Sequence, residues 1–513
     1  MSNIFLFFLR VMYIIYKDVA ERQEGGSTTG RDQTMAVLLK REPYNPLTVH
    51  ECRTIYHNAL AVLSTVGIRV PGEDAREIYL RLGCSFNGEN QRVTISEKIV
   101  EQALRDSRKQ FLLAGRDPKH DITIGEGIMY FSSGGGSPNY LDHGAKNVRK
   151  ATLRDVANMA HLIDYLPFID ICHRSLEPSD VHGEIVDVNK FFAWMNNTTK
   201  HVVLSTTDLK GFQKIRRIAE IIAGSAEALK ERPLFTVVAC WMISPLVLHP
   251  ETTSVIIEAV RNMVPVEFSS CPMAMSTSPC TLAGTLTQFL AEILSGKVLA
   301  YGVNPDAPVI IGGAPAISDP ATLGFCAGSA EFGLLNAAAA QIGRVLGFPM
   351  VVSAGYTEDK LQGAQAGYET ALSWLTVALT GVDILHGLDL FDSGLAVSAE
   401  STVIGNEMAG MVKRIVEGIH VDEETIGLDV IRRVGPGGEY VTDDHTLRHF
   451  RNELFFPVVG DRRNRISWFN AGGMDTGERA WKAACKIWAE HKPRRLDDDI
   501  VKRIRAEFPE LVA

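Results

Sequence analysis

The 513-residue chain lacks a Cys-x-x-Cys pair, a Gly-x-x-x-x-Gly-Lys-Ser/Thr loop, a His-Glu-x-x-His string and a Gly-x-Ser-x-Gly elbow. The eight cysteines (Cys52, Cys84, Cys172, Cys240, Cys271, Cys280, Cys326, Cys485) are scattered, several within apolar runs where a thiol acts as a small hydrophobe. That usage fits a reducing compartment, so a cytoplasmic location is expected. Without the lysine-ended loop there is no P-loop. Gly134–Gly136 follow an apolar run without completing Gly-x-Gly-x-x-Gly, which reads as a turn. Cys172-His173 is a lone pair with no matching ligands, so no metal site is expected. A serine hydrolase of the elbow type is excluded. Basic charge is also short, with 52 Lys and Arg against 61 Asp and Glu and a net charge of -9. No basic stripe carries interleaved aromatics, which argues against nucleic acid as a partner. No apolar run is long enough to span a bilayer. The longest at the N-terminus, 4–16, is short and interrupted by Arg10, and no small-residue cleavage site follows it. Residues 1–34 are therefore expected to be a disordered extension, or an upstream start with Met35 as the true beginning, and no membrane partner is expected.

What is present describes a globular enzyme, with 46% hydrophobic and 22% charged residues. From Leu47 to Gly67, apolar residues recur at helical spacing; 73–83 and 96–107 repeat the pattern, so 35–119 reads as a helix-rich N-terminal region. Beyond it, short β-branched runs alternate with longer helical stretches. The runs begin at Phe168, His201, Phe235, Pro265, Pro308, Pro349 and Asp383, with an eighth near Met129. They recur about every 30 to 45 residues, the length of one strand-plus-helix unit. Strands buried on both faces read as continuously apolar, as these do. The expected fold is α/β, a (β/α)8 TIM-type barrel over 120–513 with C-terminal helices; a doubly wound open sheet is the alternative.

A barrel carries its chemistry at the C-terminal strand ends. The densest such stretch follows Pro349, where a strand run ends and a polar loop carries Tyr356, Glu358, Asp359 and Lys360. Gln365, Tyr368 and Glu369 follow on a helix, with Gln365 and Glu369 on one face. His386 ends the next strand, with Asp389 and Asp392 downstream. Glu331 stands alone in a small, apolar helical stretch, where a carboxylate must find a partner, face solvent or enter a cavity. Each has a plainer reading: a solvated loop, a satisfied core histidine, a charge on a helix N-terminus.

The same segments resemble the trimethylamine methyltransferase family. The matching strings are CPMAMSTSPCTLAGTLTQFLAEILSG from Cys271, YGVNPDAPVIIGG from Tyr301, GSAEFGLLNAAAAQIGRVLGFP from Gly328, DKLQGAQAGYE from Asp359, HTLRHFRNELFFP from His445 and the DRR…W segment ending at Trp468. The resemblance runs from near Leu47 to the C-terminus. It implies a barrel methyltransferase that moves a methyl group from a tertiary or quaternary amine to the Co(I) corrinoid of a separate protein. A corrinoid-binding chain typically carries Asp-x-His-x-x-Gly. The nearest string here, Asp383-Ile-Leu-His386-Gly387, has the wrong spacing. The resemblance thus implies no tightly bound cofactor in this chain, a corrinoid (cobalamin) on a cognate partner, a small methylated amine as substrate, and a homo-oligomer.

Archaeal members contain pyrrolysine; this chain has only standard residues, so it resembles the other branch, which includes glycine betaine:corrinoid methyltransferases. Lys360 lies in the corresponding loop but is no electrophilic imine, which favours a quaternary amine. Many relatives read roughly Pro-x-Arg-Ser-Gly-Gly where this chain has Pro349-Met-Val-Val-Ser-Ala-Gly355. Met350, Val351 and Val352 cannot pair with a substrate carboxylate, so such an anchor must come from elsewhere, for example Arg174 or Lys360. The expected catalytic residues are Glu331, His386 and Lys360, and the expected substrate contacts are Tyr356, Glu358, Gln365 and Tyr368. Two other functions remain open: a barrel lyase or aldolase with a Schiff base on Lys360, and a non-catalytic protein that binds quaternary amines.

Overall fold

The eight apolar runs become eight strands: β1 (Ile128–Ser132), β2 (Ile171–His173), β3 (His201–Leu204), β4 (Phe235–Ala239), β5 (Val266–Ser270), β6 (Val309–Gly313), β7 (Met350–Ser353) and β8 (Ile384–His386). Each pairs in parallel with the next. β8 returns to β1 through Ile384–Tyr130, Leu385–Phe131 and His386–Ser132, so the sheet closes on itself. Closure makes this an α/β TIM-type barrel; the open-sheet alternative would leave two edges. The computed structural model describes residues 37–39 and 42–512. The expected extension 1–34, with its apolar run, lies outside the described residues. Among the described residues no helix is long and apolar enough to cross a membrane.

One helix follows each strand: α1 (Leu153–Tyr165), α2 (Val186–Asn197), α3 (Leu209–Ala223), α4 (Pro250–Arg261), α5 (Leu282–Val303), α6 (Ala330–Leu346), α7 (Ala364–Ala378) and α8 (Ala399–Glu417). Local sequence fixes where most of them start. Thr152 and Ser398 form capping boxes with Asp155 and Ser401. Asp208, Thr281 and Ser329 accept from the first turn, and His249 caps a helix whose first residue is Pro250. These side chains satisfy amides that have no partner within the helix.

The barrel interior holds Tyr130, Ile171, Val203, Val238, Ile310, Val351 and Ile384 in one apolar cluster. Phe111, Leu113, Ile122 and Ile124 complete that cluster from an antiparallel hairpin, Phe111–Leu113 with Ile122–Ile124. The hairpin is therefore the floor of the barrel, at the N-terminal end of the strands. His201 fastens it: one ring nitrogen lies 3.0 Å from Ala114 O and the other 2.8 Å from Thr236 Oγ1. Burial lowers the His201 pKa to about 4, so the ring is neutral at pH 7.

The floor crosses the boundary expected at 119–120, because the hairpin draws residues from both sides. The segment before it is also more than helical. Helices Val49–Ala61, Glu73–Arg81 and Glu97–Asp106 occupy the expected places. Between them run strands Ile68–Arg69, Ser85–Asn87 and Arg92–Thr94, joined by Met242–Ile243 and Val247–Leu248 from the loop after β4. Strands of two or three residues are too short to show alternation in sequence. The N-terminal helices pack on α5, where the Tyr79 hydroxyl donates to Ser295 O at 2.9 Å.

One glycine sets the spacing of the wall. A Cβ on Gly312 would lie 1.7 Å from Val351 O on the neighbouring strand. Gly312→Ala must push β6 and β7 apart, and we expect a loss of about 1–3 kcal/mol, the usual cost of overpacking. Chemical denaturation measures it; an unchanged unfolding midpoint contradicts the close approach.

Candidate active site

Register decides which side chains enter the barrel. Glu267 on β5 pairs with Val238 on β4 and Ile310 on β6, both members of the inner apolar cluster. Paired residues share a face, so the Glu267 carboxylate points inward. It is buried, and among the described residues no hydrogen bond or ion pair reaches its carboxylate. Burial raises its pKa to about 7, and the charge of Arg174 pulls the other way. A carboxylate buried among apolar side chains is costly unless something balances its charge, which makes Glu267 a candidate for function.

Nearer the mouth lie two histidines from strands β2 and β8. Their rings, His173 and His386, are 5.1 Å apart at an interplanar angle of 46°. His386 is satisfied: Nδ1 lies 2.9 Å from Ser353 Oγ and Nε2 lies 3.3 Å from the Tyr356 hydroxyl. Burial, aided by Arg174, lowers its pKa to about 4. His173 is held well below the usual histidine range by burial, then by His386 and Arg174. Both rings are therefore neutral at pH 7. Neither ring nitrogen of His173 has a hydrogen-bond partner, although the ring is buried. Leaving such a group unpaired costs about 1–3 kcal/mol, and orphans of this kind mark ligand sites. Tyr356 completes an aromatic side of the mouth, packed edge-on against Phe332 at 5.6 Å and Phe325 at 6.3 Å. Burial holds its hydroxyl protonated, its pKa raised.

Arg174 follows β2 directly. Its guanidinium donates to Glu177 Oε1 at 3.0 Å, while its Nε is buried without a partner. Glu177 in turn accepts from Lys190 at 2.8 Å, and Lys190 lies 3.6 Å from Asp187. This row of alternating charges fixes Arg174 from behind. Asp389 is a further buried acid, and it is structural: it accepts from Gly134 N (2.8 Å), Ser175 Oγ (3.0 Å) and Thr402 Oγ1 (3.0 Å).

The residues expected from sequence separate into three groups. His386 and Tyr356 meet in the buried cluster. Glu358 and Gln365 instead hold the loop after β7. Glu358 Oε1 accepts from Ala327 N (2.8 Å) and Gly328 N (3.1 Å), and its other oxygen accepts from Ser393. Gln365 donates to Glu369 at 2.9 Å, and Glu369 accepts from Thr357 and Glu358 N. Glu331, Lys360 and Tyr368 are exposed and lie outside the buried cluster. Glu331 sits in the first turn of α6, where its charge complements the helix dipole. Lys360 pairs with Asp392 at 2.8 Å and donates to Glu358 O at 2.7 Å. Tyr368 is 56% exposed on α7.

Sequence reasoning misses Glu267 altogether, considers His173 only as half of a rejected metal pair, and reaches Arg174 only as an alternative anchor. A signal for Glu267 exists: it is the single charge in the otherwise uncharged run Pro265–Ser270. His173 has none beyond its place at a strand end.

The chain is similar to known proteins over most of its length. A family model described as trimethylamine methyltransferase (MTTB) matches residues 17–509. The chain is 33% identical over 456 residues to the trimethylamine methyltransferase MttB of Desulfitobacterium hafniense (strain DSM 10664 / DCB-2), covering 89% of this chain and 92% of the relative. It is 30% identical over 465 residues to the glycine betaine methyltransferase of Desulfitobacterium hafniense (strain Y51), covering 90% and 96%. It is 31% identical over 470 residues to the trimethylamine methyltransferase MttB of Methanosarcina thermophila, again covering 90% and 96%.

Proposed function

Because the chain belongs to the trimethylamine methyltransferase family, we propose that its barrel mouth takes a methyl group from a quaternary or tertiary methylamine and passes it to the Co(I) corrinoid of a separate protein. The observation that carries this reading is Glu267, an unpaired inward carboxylate in an apolar cup. In such a transfer the carbon–nitrogen bond breaks with its electron pair left on nitrogen, and a new bond forms between that carbon and the acceptor. The amine leaves readily only when its nitrogen starts as a cation. Glu267 supplies the countercharge, and Tyr356 with the phenylalanines behind it supplies aromatic surface suited to an ammonium group. The remaining work is positioning and exclusion of water: the cation is held so that one methyl faces the mouth.

Arg174 adds a finer element. Its unpartnered Nε and its charge, which acts on Glu267, suit it to anchor a carboxylate in the substrate's tail, the role that Met350, Val351 and Val352 cannot fill. A zwitterion with a methylated ammonium at one end and a carboxylate at the other fits this pair. Two features support keeping the corrinoid on a partner protein: the spacing after Asp383 departs from the corrinoid-binding string, and both ring nitrogens of His386 are engaged within the barrel. The Schiff-base alternative finds no support in Lys360, which is exposed and ion-paired; reactive lysines of that kind are desolvated.

The test is a screen of methylated amines, with and without carboxylates, against a reduced corrinoid protein, following conversion of the Co(I) spectrum to methyl-Co(III). Turnover is expected, best with a carboxylated quaternary amine. No conversion with any amine rejects the reaction, and tight binding without turnover favours the binding-protein alternative. In Arg174→Ala, KM for the carboxylated substrate should rise roughly 10–100-fold, matching charged hydrogen bonds of about 1.5–3 kcal/mol. An unchanged KM removes Arg174 as the anchor.

A further inference from the structure

Outside the barrel, the segment after α8 brings together three side chains that the methyl-transfer reading leaves unused. His445 and His449 lie on the helix Asp444–Glu453, four residues apart and on one face. Glu424 approaches them from the short helical turn Glu423–Ile426. The ligand atoms of the three residues all lie within 4.8 Å of one another. We propose that Glu424, His445 and His449 form a binding site for a zinc-class transition metal.

The geometry and the donor chemistry agree. Ligand atoms around tetrahedral zinc stand about 3.3 Å apart, given bonds of about 2.0–2.1 Å. Here His449 Nε2 is 3.0 Å from Glu424 Oε1, while His445 Nε2 is 3.2 Å from the Glu424 main-chain oxygen, so both rings stand beside this residue within the 4.8 Å cluster. The two imidazoles are packed with ring centroids 4.3 Å apart, close enough for both to reach one ion. Two imidazoles and one carboxylate are a donor set that zinc accepts, with water as the fourth ligand. The Glu424 carboxylate accepts from both His449 and Arg448, so it lies beside the imidazoles. Arg448, 3.0 Å from Glu424, is a cation that a metal would have to displace. Its side chain is 57% exposed, and an exposed pair of this kind is weak enough to be displaced.

A bound metal would tie the segment between α8 and the helix Asp444–Glu453 directly onto that helix. There it would join a contact that Arg433 already makes with Asp443 at 2.8 Å. The site would brace this outer segment and leave the barrel mouth untouched.

Metal-stripped full-length protein, titrated with Zn²⁺ against a chromophoric chelator at pH 7.5, tests the proposal. The expected result is one equivalent bound at about 1 μM or tighter, with a zinc-dependent rise in the thermal midpoint. His445→Ala with His449→Ala should weaken that binding at least about 30-fold and abolish the thermal shift. Glu424→Gln, at an exposed position, serves as the second variant and should weaken binding about tenfold or more. Zinc affinity unchanged in the double variant or in Glu424→Gln, or no saturable site in the wild type, overturns the assignment.

Discussion

Replacing Glu267 by glutamine is expected to lower kcat/KM for methyl transfer by about 10²–10³-fold, the usual effect of removing one preorganised electrostatic partner. The substitution keeps the shape of the side chain and removes only the charge. Its pH signature separates the role from a packing defect. With the Glu267 pKa at about 7, the carboxyl is neutral in mildly acidic solution and ionised above neutrality. Wild-type kcat/KM should therefore climb as pH passes through about 7, and that limb should vanish in Glu267→Gln. Stability moves the other way. The folded-state pKa lies above the ordinary value of 4.5, so the folded protein holds a proton that the unfolded chain releases between pH 4.5 and about 7. Wild-type stability falls as pH rises through that window, and the variant loses this slope. A Glu267→Gln enzyme with wild-type kcat/KM would remove the carboxylate from the mechanism.

The second large effect is one of stability. Lys413 on α8 reaches inward to Asp170, at 3.0 and 2.8 Å from its two carboxylate oxygens, and its ammonium lies 5.0 Å from the centroid of the Phe131 ring. Asp170 also accepts from Phe131 N at 2.7 Å, so this pair fastens the last helix of the barrel to β1. The Lys413 side chain is 2% exposed. Lys413→Ala strands a buried carboxylate, and we expect a loss of about 3–5 kcal/mol. Joining Lys413→Met with Asp170→Asn should recover most of it, because a neutral pair leaves no charge uncompensated. Urea unfolding of the three proteins checks both statements. A Lys413→Ala midpoint equal to the wild type would show that water reaches Asp170.

The barrel is legible in the sequence because its walls are buried on both faces. Runs such as His201–Leu204 and Phe235–Ala239 have no polar side to confuse with a surface strand, and the segments between them carry helix caps. The site is legible only in part, for a reason of the same kind. His386 and Tyr356 stand out because they follow strand ends, where a barrel exposes its chemistry. Glu267 lies inside a strand, and periodicity places the whole run in the wall. Only the register with Val238 and Ile310 tells which way the carboxylate points. Glu331, Lys360 and Tyr368 differ from Glu267 in the opposite sense. They share a neighbourhood with the site in sequence, yet helix and loop geometry turns them to solvent. The His445 and His449 pair shares a helix face at a spacing anyone can count, but the approach of Glu424 is a tertiary fact.

The hairpin floor gives the proposed reaction its order. With the hairpin closing one end, the proposed reaction brings both the amine and the corrinoid domain to the C-terminal mouth of the barrel. The small molecule has to enter first, because a docked protein would cover the opening behind it. The demethylated amine can leave only after that protein has gone. Kinetically this is a compulsory sequence of arrivals and departures, and excess acceptor protein becomes an inhibitor by sitting on an empty cup.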